Sequence, residues 1–314
     1  KCIELVPENS AVYYKLAQIA VNNSEIDKAL GYALKALQYD DTNKYYYLIT
    51  ANIYTEKGDF DKAAEYYEQL VTRIAGTEEY FFELAAIYLY QERLDDALST
   101  YQKAEEAFGV NEQTVFQKQK IYLQLNKLEE AIAEGRNLIK AYPDEYAYYI
   151  SLADLLMANN RTNAAIDLLN ELLVISPENG QAKLILSDLY KEQGDFVKSQ
   201  ALLTAAFGDP SVSPDIKVQI IAALTQQISQ SRRINNPNIS LEEETKKLAL
   251  KTIEIHIEEA NAYAVYGDLL YALNRKSEAL LNYLKTVDLQ PDNFQVWQNI
   301  FQLDTENNDV DASV

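Results

Sequence analysis

Cysteine, histidine, methionine and tryptophan each occur once in this chain of 314 residues. A single cysteine, Cys2, cannot build a disulfide framework, and with His256 as the sole imidazole no Cys/His zinc site can be assembled. A nucleophilic site needs a nucleophile, a base and an orienting group within hydrogen-bond reach. His256 reads as an ordinary helix-end residue without such company, so no catalytic residue, no cofactor and no metal is expected. Glycine (9) and proline (7) are scarce, and Gly31, Gly58, Gly76 and Gly109 stand singly in turns or helices, so there is no phosphate-cradling loop. The calcium-loop spacing at residues 307–311 lacks the glycine and the terminal glutamate that such a loop requires. No apolar run approaches the ~20 residues of a membrane span, so membrane insertion is not expected. Positive charge is short: 28 Lys and Arg face 48 Asp and Glu, a net charge of −20. A polyanion repels a phosphate backbone, which argues against nucleic acid as a partner.

What the chain does have is a period. Ala29, Ala63, Ala97, Ala131 and Ala165 stand 34 residues apart, and Ser199 continues the series. A second series runs with it: Ala20, Tyr54, Tyr88, Tyr122, Leu156 and Tyr190. A fixed period of this size marks a stack of repeated units, each leaning mainly on its neighbours. Hydrophobic residues make up 48% of the chain, and 24 are tyrosine, so there is ample apolar surface to bury. Within one unit, 44–77, Tyr47, Ala51 and Tyr54 recur at helical spacing. Glu56-Lys57-Gly58-Asp59 then breaks the pattern: Gly58 can end one helix in the left-handed conformation and Asp59 can cap the next. Phe60, Ala63, Ala64, Tyr67 and Leu70 share one face of the second helix. The unit is therefore a helical hairpin, with Ala63 where its two helices cross most closely.

The pattern resembles the tetratricopeptide repeat, which places a large residue at position 4, Leu at 7, a small residue at 8, Tyr at 11, Gly near 15, Ala at 20, an aromatic at 24, Ala at 27 and Pro at 32. Tyr13, Leu16, Ala17, Ala20, Ala29, Ala33 and Ala36 match in the first unit, and Phe81, Leu84, Ala85, Tyr88, Ala97, Tyr101 and Ala104 in the third. Tyr263, Gly267, Ala279, Tyr283 and Pro291 match in a late copy. The resemblance implies an all-α fold, an α-solenoid in which antiparallel helix pairs form a right-handed superhelix of 34-residue repeats, with 16–17 helices. One continuous array is expected over 1–314: a tail of a preceding repeat (1–9), regular repeats 10–43, 44–77, 78–111, 112–145, 146–179 and 180–213, a lengthened unit 214–259, a repeat 260–293 and a truncated one 294–314. Gly58 and Gly194 should fall in turns.

Three departures stand out. Neither end carries a polar cap, so the chain reads as a piece of a longer protein. Asn308-Asp309-Val310-Asp311 copies Gly58-Asp59-Phe60-Asp61, which predicts a turn and the start of a further helix there. The unit 214–259 is twelve residues too long. Its first helix is expected to run through Gln226–Arg233, followed by the polar loop Asn235-Asn236-Pro237-Asn238 and a capping box at Ser240-Leu241-Glu242-Glu243. The extra length reads as a tolerated insertion or as a protruding contact or hinge.

The third departure concerns the groove. In the family, positions 2, 5, 6, 9, 12 and 13 line the concave face, and the members that grip a chaperone's carboxylate tail use Lys and Asn there. Here Asn52 is the sole asparagine at position 9, so that activity is not supported. Toward the N-terminus the groove positions are apolar and aromatic, with Tyr14, Tyr45, Leu48, Phe82, Leu89, Tyr90 and Phe116 beside Asn52. Toward the C-terminus they turn acidic: Asp154, Asp188, Glu192 and Asp268. The expected function is a non-catalytic protein–protein interaction scaffold that binds a peptide or helical segment, carrying apolar and basic side chains, in this groove. The alternative is the partner- or substrate-selecting region of a longer enzyme or regulator. The Tyr- and Asn-rich, Cys-poor, acidic makeup suggests a bacterial protein of the cell envelope, with the cytoplasm as the alternative compartment.

Overall fold

The computed structural model describes residues 7–311 and, within them, the side chains of 7–306. The readings of residues 1–6 and 312–314 lie outside the described residues. Among the described residues there are 17 α-helices, one short 3-10 turn at Glu78–Tyr80 and no strand. The chain is an all-α solenoid built of helix hairpins. It divides into two compact units, Lys1–Tyr148 and Tyr149–Val314. In the first are α1 (Ser10–Asn22), α2 (Ile26–Tyr39), α3 (Lys44–Glu56), α4 (Phe60–Arg73), α5 (Phe81–Tyr90), α6 (Leu94–Phe108), α7 (Glu112–Gln124) and α8 (Leu128–Ala141). The boundary falls within α9 (Tyr146–Ala158). The second unit continues with α10 (Thr162–Ile175), α11 (Gly180–Glu192), α12 (Phe196–Phe207), α13 (Pro214–Arg233), α14 (Ile239–Ile255), α15 (Ala260–Ala272), α16 (Lys276–Leu289) and α17 (Phe294–Asp311).

Every hairpin turns on one residue in the left-handed conformation. Gly58 (φ 75°) and Gly194 (φ 81°) hold it as expected, but Ser24, Glu92, Asn126, Asn160 and Asn274 hold it too, at φ between 56° and 61°, and Asn235 (φ 53°) does so in the lengthened hairpin. All but Asn235 stand at the same place in the repeat frame. Around each, the helix ends in a Schellman motif, which satisfies carbonyls that have no helical partner. The Asp59 N–H reaches back to the Tyr54 carbonyl (2.9 Å), Arg93 to Tyr88 (2.8 Å), Lys127 to Tyr122 (2.8 Å) and Arg161 to Leu156 (2.8 Å). The acceptors are the second periodic series of the sequence. The far end of the hairpin has its own device. Asn9, Asn43, Asn111 and Asn179, also in phase, each cap the following first helix by accepting a backbone N–H on the side-chain oxygen.

The small residues sit where the two helices approach. Ala29, Ala63, Ala97, Ala131, Ala165 and Ala279 are all fully buried. Opposite them stand Ala17, Ala51, Ala85 and Ala153, equally buried. Where that opposite residue is polar, it bonds across the crossing: Gln119 Nε2 donates to the Ala131 carbonyl (3.0 Å) and Ser187 Oγ to the Ser199 carbonyl (2.8 Å). A buried amide or hydroxyl needs such a partner.

Unit 112–145 departs furthest from the apolar pattern. Lys118 takes the place where the resemblance expects leucine, and it is buried. Its ammonium lies 2.7 Å from both Glu105 and Glu134, and Thr114 Oγ1 donates to Glu105 (2.7 Å). Burial alone would lower the Lys118 ammonium, but the two carboxylates hold it above its ordinary value.

Two expectations are corrected. The cap of α14 is not Ser240 but Asn238, whose Oδ1 accepts from the Leu241 N–H (3.1 Å). Asn238 comes first in the chain with an equally good cap oxygen, and starting there turns Glu242 onto Arg232, which it holds in a two-bond fork (2.6 and 2.7 Å). No turn forms at residues 308–309, because α17 runs on through Asp311. The place that in other units carries a packed Ala, Tyr or Leu is there the exposed Asp304. No apolar anchor draws the chain out of its helical hydrogen bonds. The expected extension of α13 through Arg233 and the polar loop after it are present. His256 caps the end of α14. It is half-buried, with Nε2 3.0 Å from the buried Lys217 ammonium, and burial lowers both groups.

Two predictions follow from these contacts. A non-glycine residue in the left-handed region costs roughly 1–2 kcal/mol. Glu92→Gly is therefore expected to stabilise the chain by about 1 kcal/mol, and Gly58→Ala to destabilise it by about as much; urea midpoints of the two variants should move in opposite directions. Lys118→Leu restores the family's residue yet strands the buried Glu105 and the half-buried Glu134, so it should cost about 3–5 kcal/mol. Neutralising Glu105 and Glu134 in the same chain should recover most of that loss in the same denaturation experiment.

Candidate functional site

The first helix of each hairpin has two faces. One carries the large residues of the 34-residue frame, such as Tyr13, Tyr47, Phe81, Val115 and Tyr149, all buried. The other is open, and every sequence-predicted groove residue lies on it. Tyr45, Asn52, Tyr90, Phe116, Asp154, Asp188, Glu192 and Asp268 are exposed, and Tyr14, Leu48, Phe82 and Leu89 are half-buried.

In the first unit these residues are braced by their neighbours. The Tyr14 ring lies 5.2 Å from that of Tyr46, and its hydroxyl accepts from Gln18 Nε2 (2.9 Å). Tyr90, 70% exposed, leans one side of its ring on Phe60 (4.3 Å between centroids). Phe82 packs 6.4 Å from Tyr101. Leu48, Phe82 and Leu89 rest against the core that contains Tyr47, Leu84 and Tyr88. These side chains present part of their apolar surface to solvent from a fixed position. A cavity of about 410 Å³ opens between α1 and α3, lined by Gln18, Asn22, Asn52 and Glu56. Another of about 520 Å³ lies along α5 and α7, beside Leu89, Gln117, Lys120 and Gln124.

In the second unit the open face is acidic at its centre. Asp154, Asp188 and Asp268 occupy the same place in their three repeats. Burial pushes all three carboxyls above the ordinary carboxylate value. Each stands on the accessible face of a helix and yet in a depression, where neighbouring atoms displace part of its hydration. Asp268 has the most defined setting. Tyr283 donates its hydroxyl to Asp268 Oδ1 (2.7 Å), and Asn299 Nδ2 approaches the same atom at 3.5 Å. The Tyr283 bond offsets part of the burial effect, while the carboxylate and the buried site drive the Tyr283 hydroxyl far up. Gly267, beside Asp268, leaves room for that ring: a Cβ there would meet Tyr283 at 2.6 Å.

The same pairing occurs in the first unit, where the Tyr67 hydroxyl donates to Asn52 Oδ1 (2.8 Å) and is itself pushed up to about 12 by burial. Asn52 and Tyr67 stand fifteen residues apart, as do Asp268 and Tyr283. A core tyrosine on the second helix thus orients a groove residue on the first. Bonded at its oxygen, Asn52 offers an amide donor; Asp268 offers an acceptor. Sequence reasoning placed both tyrosines in the core and missed their polar ends, although the constant spacing was legible.

Among the described residues, no group of three or more His, Cys, Asp or Glu side chains is placed to hold a metal ion, and no helix is long and apolar enough to cross a membrane.

Comparison with known proteins agrees with this construction. A tetratricopeptide repeat family model matches residues 14–79, 50–112 and 120–180, and a second tetratricopeptide repeat model matches 156–210. The chain belongs to the tetratricopeptide repeat family. No curated protein matches it by sequence. Among solved structures, YrrB, a tetratricopeptide repeat protein with an unusual peptide-binding site, is 22% identical, covering 58% of this chain and 94% of its own, with a TM-score of 0.38. A tetratricopeptide repeat protein from Parabacteroides merdae is 13% identical, covering 94% of this chain and 98% of its own, with a TM-score of 0.39. Membership in this family makes the chain a protein-interaction scaffold in general terms.

The Asp268–Tyr283 pair can be tested directly. Tyr283→Phe removes the hydrogen bond that favours the ionised carboxyl, so Asp268 should titrate at higher pH than in the parent chain, where it already titrates above the ordinary value. Carboxyl chemical shifts followed through a pH titration would show the displacement; an unchanged midpoint would mean that the hydroxyl does not orient Asp268.

Proposed function

We propose that the chain is a non-catalytic scaffold that binds a peptide or helical segment on the open faces of its first helices. The apolar and aromatic patch of the first unit takes large apolar side chains, and the acidic positions of the second take lysine or arginine. The observation that supports this reading is the split of the first helices into a buried face and an open one that carries all twelve predicted groove residues. The cavities at α1–α3 and α5–α7 lie along that open face. Half-buried aromatic side chains held by a core lose little freedom on binding, which suits them as anchors. The acidic second unit adds steering and selectivity rather than most of the affinity. Partners of acidic character are disfavoured by the net charge of −20.

Peptides selected from a random library on the immobilised chain should be enriched in aromatic or aliphatic residues together with lysine or arginine. For such a peptide, Phe82→Ala or Tyr90→Ala should weaken binding by about 2 kcal/mol or more, the loss expected of an anchor. Asp188→Lys should instead lower the association rate and flatten its dependence on salt. If affinity is indifferent to Phe82→Ala, to Asp188→Lys and to ionic strength alike, the partner uses another surface and the groove reading fails.

A further inference from the structure

A cavity of about 560 Å³ opens in the second unit where α13, α15, α16 and α17 meet. Its size is that of a site for one large side chain or a small molecule. Asp268 and Tyr283 form one wall, with Tyr271, Asn299 and Gln302 nearby, and Thr225 and Ser229 of α13 form another. Thr225 is buried, and its hydroxyl oxygen is closed off from the cavity without a hydrogen-bond partner. A buried hydroxyl without a partner is costly, unlike its counterparts Thr245 and Thr252 on α14, which bond back to their own helix. Asp268 has one oxygen fixed by the Tyr283 hydroxyl (2.7 Å) and an acceptor to spare. The cavity thus brings together an under-solvated carboxylate and the ring of Tyr271.

Two arginines also border the cavity, and they do not cancel the carboxylate. Arg232 is engaged by the buried Glu242 through two hydrogen bonds. Arg233 stands exposed at the end of α13, where its charge is screened by water and salt.

We propose that this cavity is a cation-recognition pocket, which takes the guanidinium or ammonium of a single basic side chain with Asp268 as its counter-ion. Tyr283 acts as a positioning residue that aims the Asp268 carboxylate into the cavity, and the Tyr271 ring borders the incoming stem. A planar guanidinium suits the site best, because its fixed fork of donors matches the geometry of a carboxylate. The lengthened unit 214–259 acquires a role: the extra turns of α13 supply the part of the wall that carries Ser229, Arg232 and Arg233, which a first helix of ordinary length would lack.

This pocket rests on the groove reading, and the experiment separates the two. The probes are a blocked peptide of leucines with one arginine and its twin with citrulline, the neutral isostere, in that place. Both are titrated into the 314-residue chain by calorimetry. The arginine peptide should bind about ten- to a hundredfold more tightly than the citrulline peptide, the range expected when a hydrogen bond to a charged group is lost. Asp268→Asn keeps the shape of the side chain and should abolish that preference, with circular dichroism confirming the fold. Amide shifts on adding N-acetyl-arginine amide should centre on Tyr271, Asn299 and Gln302. Equal binding of the two peptides, or a preference that survives Asp268→Asn, overturns the pocket. If Phe82→Ala still weakens both peptides in that case, the groove stands without the pocket. If neither peptide responds to either substitution, both readings fall.

Discussion

The architecture depends on one constraint: in every 34-residue unit, a single residue must turn the chain through a positive φ so that the second helix can fold back on the first. The Schellman hydrogen bonds around that residue consume the carbonyls that the first helix would otherwise leave unsatisfied. The position of the turn fixes which residues of the two helices face each other. That alignment is why alanine recurs at the crossing with a period of 34, and why a bulkier residue there would push the helices apart. Glycine is the cheapest occupant of the turn, yet only Gly58 and Gly194 use it; asparagine, serine and even Glu92 are held there by the packing on either side. Asparagine tolerates the left-handed region because its short side chain can bond locally.

Asparagine in fact serves two periodic tasks. It stands in the left-handed turn at Asn126, Asn160 and Asn274, and it caps first helices from Asn9, Asn43, Asn111 and Asn179. The asparagine-rich composition therefore has a structural cause in the caps and turns. It does not need the compartment of the protein to explain it.

The units that break the pattern are the ones with polar interiors. Unit 112–145 buries Lys118 between Glu105 and Glu134, and the lengthened unit buries Lys217 against the Asp209 carbonyl and His256. Neither arrangement contributes as much stability as a leucine core would, because charges lose hydration on burial. Away from Glu105 and Glu134 the buried Lys118 ammonium would lack its partners, at a cost in free energy.

How much of this was legible in the chain follows from the range of the interactions involved. The period, the hairpins, the alanine crossings and the long α13 follow from side-chain size and helical spacing, which are local, so the sequence by itself determined them; the choice of groove positions came from the family resemblance. The turn residues other than glycine were not legible, because propensity opposes them and packing on both sides of the turn overrides it. The true cap of α14 was missed for a related reason: Asn238 and Ser240 are both good caps, and the choice was made by Glu242 reaching Arg232. The polar ends of Tyr67 and Tyr283 were hidden as well. A tyrosine in phase with a core looks apolar until its hydroxyl meets Asn52 or Asp268 on another helix. The cavity around Asp268 exists only because four helices, contributed by three units, converge there. The sequence determined which way its side chains would face, and only the tertiary structure decided which of them would meet.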